Sequence, residues 1–146
     1  GHFLLRLRGM PEDVLLDPFA AARRVTYPEA ERLLAEATGG ALRLEPHMLR
    51  SVGKREMIAR LLANLKMAAL RAGDLPQALS AVERLRMIHP EEASERRDQG
   101  LLLYELDRLH EARTALEGYL HLAPQAADRE AIESRLLTIG LMLGPA

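Results

Sequence analysis

The 146-residue sequence predicts a mainly α fold, in which antiparallel helix pairs stack as a short array, closed by a capping helix and preceded by a short β-hairpin. Three observations predict it. From Lys54 onward the apolar residues fall at helical spacing, and two parts of that region echo each other at a constant offset. The N-terminal residues instead alternate with a period of two.

The alternation comes first in the chain. Phe3, Leu5 and Leu7 fall on one face of a strand and His2, Leu4, Arg6 and Arg8 on the other, the pattern of a half-buried strand. Gly9, Pro11, Glu12 and Asp13 form a turn cluster, and Val14 to Leu16 is a second β-type run that ends at Asp17 and Pro18. Residues 1–27 therefore read as a hairpin. Alone it is marginal in water, so it must lean on the helices or on further sheet. Residues 28–53 read as linking helices. Pro28 suits a first turn with Thr26 as cap, Ala30, Leu33, Leu34 and Ala37 continue it, and Gly39 and Gly40 stop it. A second start follows Pro46, carrying Met48, Leu49 and Val52 as far as Gly53.

In residues 54–146 one broad stripe is marked by Met57, Ile58, Leu61, Leu62, Leu65, Ala68 and Ala69. A turn at Gly73 and Asp74 leads to a second helix opened by Pro76, lined by Ala78, Leu79, Val82 and Leu85, and closed by His89 and Pro90. The layout then recurs. Leu75 matches Leu109, Ala78 matches Ala112, Val82 matches Leu116, Ile88 matches Leu122 and Pro90 matches Pro124, each 34 residues apart. That offset resembles the tetratricopeptide repeat. The resemblance implies two repeats, 54–90 and 91–124, with small residues where paired helices cross: Ala78 and Ala112 take the alanine position and Gly100 the glycine position. Lys66 stands at the glycine position of the first repeat and implies a looser or shifted crossing. Two repeats are fewer than the ~3 usually needed, so flanking helices must complete the core. Asp128 is a candidate cap for a last helix, 125–143, carrying Ile132, Leu136, Leu137 and Ile139. Leu141, Met142 and Leu143 exceed what that helix needs to bury, and read either as a fraying end or as a docking edge.

Composition bounds the function. Hydrophobic residues at 48% and charged residues at 28% are those of a folded globular chain. With 21 acidic against 20 basic residues there is no net field to draw phosphate backbones or anionic lipid, so neither nucleic acid nor membrane is the expected partner. The absence of cysteine excludes disulfides, thiolate metal sites and a thiol nucleophile, and fits a reducing, cytoplasmic setting. His47, His89, His110 and His121 lack the spacing that puts two imidazoles on one helix face, and Gly39 and Gly40 lack the lysine and flanking glycines of a phosphate loop. No metal or cofactor is expected.

A second resemblance covers nearly the whole chain. Gly1-His2-Phe3-Leu4-Leu5-Arg6, Leu15-Leu16-Asp17-Pro18-Phe19, Leu61-Leu62-Ala63-Asn64-Leu65-Lys66 and Glu95-Arg96-Arg97-Asp98-Gln99-Gly100-Leu101-Leu102-Leu103-Tyr104 resemble the SirB-type transglutaminase-like/tetratricopeptide proteins of bacteria. The resemblance implies a fragment of a longer chain whose transglutaminase-like domain precedes the repeats. It places His2 and Asp17 at the histidine and aspartate of a cysteine, histidine and aspartate constellation, with the cysteine upstream. Without the sulfur, an orienting acid and a base cannot run acyl transfer, so this chain alone is expected to be inactive. Where the family continues with asparagine and glycines, Ala20, Ala21 and Ala22 stand here.

Two functional readings follow. In the first, the chain is a noncatalytic helical-repeat module for a protein or peptide, including its own N-terminal domain or a second copy of itself. By the resemblance, the first helix of each pair lines the concave face and presents Arg60, Asn64, Met67, Arg97, Leu101 and Tyr104. The same residues also read as packing (Leu101, Tyr104) and as a solvated basic face. In the second, the chain is part of a cysteine-dependent amide hydrolase or acyl transferase.

Overall fold

The computed structural model describes residues 4–7 and 13–144, and for Phe19 the backbone alone. The chain divides into two compact units, with the boundary between Gly53 and Lys54.

In the first unit β1 (Leu5–Leu7), β2 (Val14–Asp17) and β3 (Arg23–Val25) form an antiparallel sheet in the order β1-β2-β3. Leu5 pairs with Leu16 and Leu7 with Val14, while Leu15 pairs with Val25 and Asp17 with Arg23. The expected hairpin is thus two strands of a three-stranded sheet. His2 and the Gly9–Met10 turn lie outside the described residues. The third strand is silent in the sequence because Arg23-Arg24-Val25 has one apolar residue and no alternation. Leu5 and Leu7 are both exposed on the edge strand, so the half-burial that the alternation predicts is not met there.

The turn into β3 carries strain. Ala21 and Ala22 have φ of 51° and 56°, a left-handed pair that glycine or asparagine adopts readily and that crowds an alanine Cβ against the next carbonyl. They fall within Ala20–Ala22, the stretch where the resemblance implies asparagine and glycines. Ala22→Gly is therefore expected to stabilise the sheet by about 1 kcal/mol. Hydrogen exchange at the Leu15 and Val25 amides should slow about fivefold; unchanged exchange would show that the alanine costs nothing.

Helix α1 (Tyr27–Thr38) begins as the sequence predicts, with Pro28 in its first turn, and ends at Gly39 in a left-handed cap, φ 61°. Glu29 accepts from the Thr26 backbone N–H at 2.8 Å, the Thr26 hydroxyl at 2.9 Å and Arg23 at 2.7 Å. The Thr26 backbone first, then Arg23, hold its carboxyl down at about 2. That joins β3 to α1. The segment after Pro46 forms a single 3-10 turn, Pro46–Leu49, rather than a linking helix, because Arg50 already leaves helical geometry at ψ 138°.

The second unit holds α2 (Lys54–Ala72), α3 (Leu75–Ile88), α4 (Ala93–Glu105), α5 (Leu109–Leu122) and α6 (Arg129–Leu143). It is a tetratricopeptide-like array in which each helix packs on the next. The 34-residue echo extends to the backbone. Gly73 and Asp107 share positive φ, 71° and 58°. Asp74 N–H donates to Ala69 O as Arg108 N–H does to Leu103 O, each at 2.9 Å. His89 N–H donates to Leu85 O as Ala123 N–H does to Tyr119 O.

Ala78, Ala112, Val82 and Leu116 are all fully buried, so two of the five register pairs lie wholly in the core. The glycine of the second repeat is explained by contact. A Cβ added at Gly100 would lie 2.6 Å from Leu116 Cγ and Cδ2 and 3.2 Å from Leu116 N. Ile132 and Ile139 of α6 close the core as expected, but Leu137 is 72% exposed. It is the register partner of Leu103, which is buried; among the described residues no further helix covers that side of α6. The stripe expected on α2 is met in part. Ala69 is buried and Leu62 and Leu65 are part-buried, but Met57, Ile58, Leu61 and Ala68 are exposed, while Ala59 and Lys66, outside the expected stripe, face inward.

Candidate functional site

The repeat register defines a shared face. Counting 34 from Met67 gives Leu101, and 34 more gives Arg135; from Leu70 the same steps give Tyr104 and Thr138. These positions lie on α2, α4 and α6, the first helix of each pair and the capping helix. The Arg135 guanidinium stands over the Tyr104 ring, 4.3 Å from its centroid, which fixes α6 against α4 at this face. No carboxylate among the described residues pairs with Arg135.

The six residues singled out in the sequence fall into three environments. Arg60, Asn64 and Met67 are exposed on α2, with Met67 at 48%. Arg60 has Glu56 one turn away at 3.9 Å, a loose surface contact. Leu101 and Tyr104 are part-buried and rest on the hydrophobic core. Arg97 belongs to an internal polar network.

That network crosses the array. Lys66 Nζ lies 2.8 and 2.9 Å from the two Glu95 oxygens and 3.0 Å from Asp98 Oδ2. Arg97 donates to Asp98 Oδ1 at 3.0 Å and to Asp128 Oδ2 at 3.1 Å. The Tyr119 hydroxyl donates to Asp128 Oδ1 at 2.5 Å, and Arg97 stands 6.0 Å from the Tyr119 ring centroid. Burial pushes the Lys66 amine down, but Glu95 and Asp98 together outweigh it and hold the amine above its ordinary range. Tyr119 first and Arg97 next hold the Asp128 carboxyl below the usual range, while the same bond raises the Tyr119 phenol. With Arg97 held by Asp98 and Asp128, the cations left on this face are Arg60, which has Glu56 loosely beside it, and Arg135, which pairs with no carboxylate among the described residues. The signal that finds Arg135 is the register itself, carried one step past Leu101.

In the first unit Asp17 ends β2, is buried, and has Arg23 as its partner across the ladder. The described pairing of β1 with β2 runs from Leu5–Leu16 to Leu7–Val14, so Asp17 lies just beyond it. His2 is outside the described residues. Among the described residues no group of three His, Asp or Glu side chains is arranged to hold a metal ion, and no helix is long and apolar enough to cross a membrane.

Residues 65–137 match the tetratricopeptide repeat family, and residues 1–63 match the transglutaminase-like superfamily. This is the order of parts that the SirB-type resemblance implies. A UPF0162 protein of Pseudomonas aeruginosa is 31% identical over 137 residues, which cover 93% of this chain and 49% of that protein. A UPF0162 protein of Xylella fastidiosa is 25% identical over 142 residues, 95% of this chain and 50% of its own. The chain therefore spans about half the length of these relatives. Among solved structures, MamA from Desulfovibrio magneticus, residue 41 to its end, superposes with a TM-score of 0.53 at 20% identity. The overlap covers 64% of this chain and 49% of MamA, and the likeness is one of fold.

Proposed function

Because the chain belongs to the tetratricopeptide repeat family, we propose that residues 54–146 act as a noncatalytic interaction module, holding a protein or peptide on the face shared by α2, α4 and α6. The observation that carries this reading is the line of Met67, Leu101 and Arg135 at one register position, with the Tyr104 ring fixed under the Arg135 guanidinium. Met67, Leu101 and Tyr104 offer apolar and aromatic area, and Arg135 offers a pre-oriented fork for a carboxylate beside it. Arg60 and Asn64 extend the polar rim of the same face. Arg97 serves it from beneath, by bracing α4 through Asp98 and Asp128.

The test uses a displayed random-peptide library. Wild-type chain should enrich a consensus peptide that the double variant Met67→Asp, Arg135→Glu binds at least about tenfold more weakly. Both positions lie outside the buried core, and far-UV circular dichroism checks that the variant is folded. Equal binding by the two proteins removes this face from consideration. The occupant in the parent protein, whether another protein, the preceding domain or a second copy, is decided by which of them the consensus peptide competes with.

A second reading is favoured by one observation, the match of residues 1–63 to the transglutaminase-like superfamily with Asp17 buried at a strand end. The parent protein is then a cysteine-dependent amide hydrolase or acyl transferase, in which Asp17 orients His2 and His2 takes the thiol proton. A parent reading frame with no upstream cysteine ends this reading.

A further inference from the structure

A cluster that the partner face does not use lies where α3, α4 and α5 meet. Arg86 comes from the last turn of α3, Arg96 and Gln99 stand one turn apart on α4, and Gly118 is on α5. Arg86 donates through Nη1 to the Gln99 side-chain oxygen, an uncharged acceptor. Arg96 lies directly across Gly118. A Cβ added there would sit 3.0 Å from Arg96 Cδ and 3.2 Å from Cζ, and closer still to Nη1. Any side chain at position 118 would therefore displace Arg96, and the bare glycine backbone is what seats it.

Neither guanidinium has its charge met. Among the described residues the Nε atoms of Arg86 and Arg96 are both buried without a hydrogen-bond acceptor and no ion pair forms to either. A buried donor without an acceptor carries its desolvation penalty uncompensated. Burial first, and the Arg96 charge second, hold the Arg86 guanidinium below its ordinary value, and Glu83, one turn back on α3, offsets this only in part. Arg96 sits in the first turn of α4, where the helix dipole favours negative charge. All of these costs fall if one multi-oxygen anion lies between the two forks.

We propose that Arg86 and Arg96 form an oxyanion site that takes a phosphate-class group, its oxygens bridging the two guanidinium forks. Two forks present more donors than the two oxygens of a carboxylate can accept, whereas a tetrahedral phosphoryl group offers three or four. Gln99 completes the site from the side by fixing Arg86. The near-zero net charge of the chain hides this local excess.

The test is a titration of the full chain, labelled with 15N, with inorganic phosphate at constant ionic strength made up with sodium chloride. The Nε–Hε signals of Arg86 and Arg96 should move and saturate with a dissociation constant on the order of 1 mM, while those of Arg60 and Arg113 stay in place. Arg96→Gln should weaken the response of Arg86 at least tenfold, and Gly118→Ala, which displaces Arg96, should do the same. A parallel arm with O-phospho-L-serine separates sources: saturation by it supports a site for esterified phosphoryl groups, and saturation by inorganic phosphate alone supports one for the free ion. Shifts in wild type that fail to saturate with either, or that sodium acetate reproduces, overturn the proposal even where a variant does not fold.

Discussion

Replacing Leu116 by alanine is expected to cost about 2–5 kcal/mol of stability, the range for deleting a large buried aliphatic side chain. Leu116 is fully buried in α5, and its Cγ and Cδ2 lie against the bare backbone of Gly100 on α4. The pair is therefore a lock in which one residue is large because the other has no side chain. Gly100→Ala forces its new Cβ to 2.6 Å from Leu116. Overpacking of that kind costs about 1–3 kcal/mol, against about 1 kcal/mol returned by the better helix former. Its net effect is a modest loss. In the double variant the leucine atoms that clash are gone, and Leu116 N lies at 3.2 Å. The combined cost should then fall short of the sum by at least about 0.5 kcal/mol. Urea unfolding of the four proteins measures this cycle. Strictly additive losses would mean that α4 and α5 do not touch at this crossing.

What was legible in the sequence followed from such steric demands. A helix crossing admits only small residues, so Ala78, Ala112 and Gly100 announce it at any overall identity. The turns are legible for the same reason, since Gly73 and Asp107 occupy a backbone region that most side chains avoid. The inner face of α2 was legible only in part. Apolar residues surround most of that helix, so periodicity found the side of Leu62, Leu65 and Ala69 but spread it onto the exposed Met57, Ile58 and Leu61 and passed over the buried Ala59. Leu137 illustrates a different limit. A leucine at a helical position signals burial only if something packs upon it, and no pattern within α6 says whether a neighbour is there. On the proposed partner face the sequence separated apolar from polar residues but not paired from unpaired ones. Arg97 and Arg135 look alike as letters, and what distinguishes them is Asp128, 31 residues from Arg97 in the chain and 3.1 Å away in space. β3 was invisible because its strand character comes from the turn at Ala21 and Ala22 rather than from its own three residues.

Lys66→Met is expected to destabilise the array by about 2–3 kcal/mol, slightly below the range for orphaning a fully buried ion-pair partner because Asp98 is part-exposed. Lys66 occupies the position that is glycine in the second repeat, where the sequence suggests a looser crossing. Its amine instead reaches α4 and sits between Glu95 and Asp98. Methionine keeps the aliphatic stem and removes only the charge. Asp98 then still has Arg97 at 3.0 Å, so the carboxylate left without a cation is Glu95. Adding Glu95→Gln should therefore recover most of the loss, whereas a purely steric role for Lys66 predicts no recovery. The pH dependence has a fixed sign. The folded-state pKa is raised above 10.5, so the stabilisation by Lys66 is fully present below that value and disappears as pH rises through the raised pKa. The stability gap between wild type and Lys66→Met should accordingly stay constant around neutral pH and narrow in strong alkali. A gap that closes between pH 7 and 10.5 would put the titrating group elsewhere. The network matters beyond its energy because Lys66, Arg97 and Asp128 link α2, α4 and the entry to α6 in one chain of charged contacts. Loosening its first member should therefore also reduce hydrogen-exchange protection at Ile132, which no packing contact with Lys66 alone would predict.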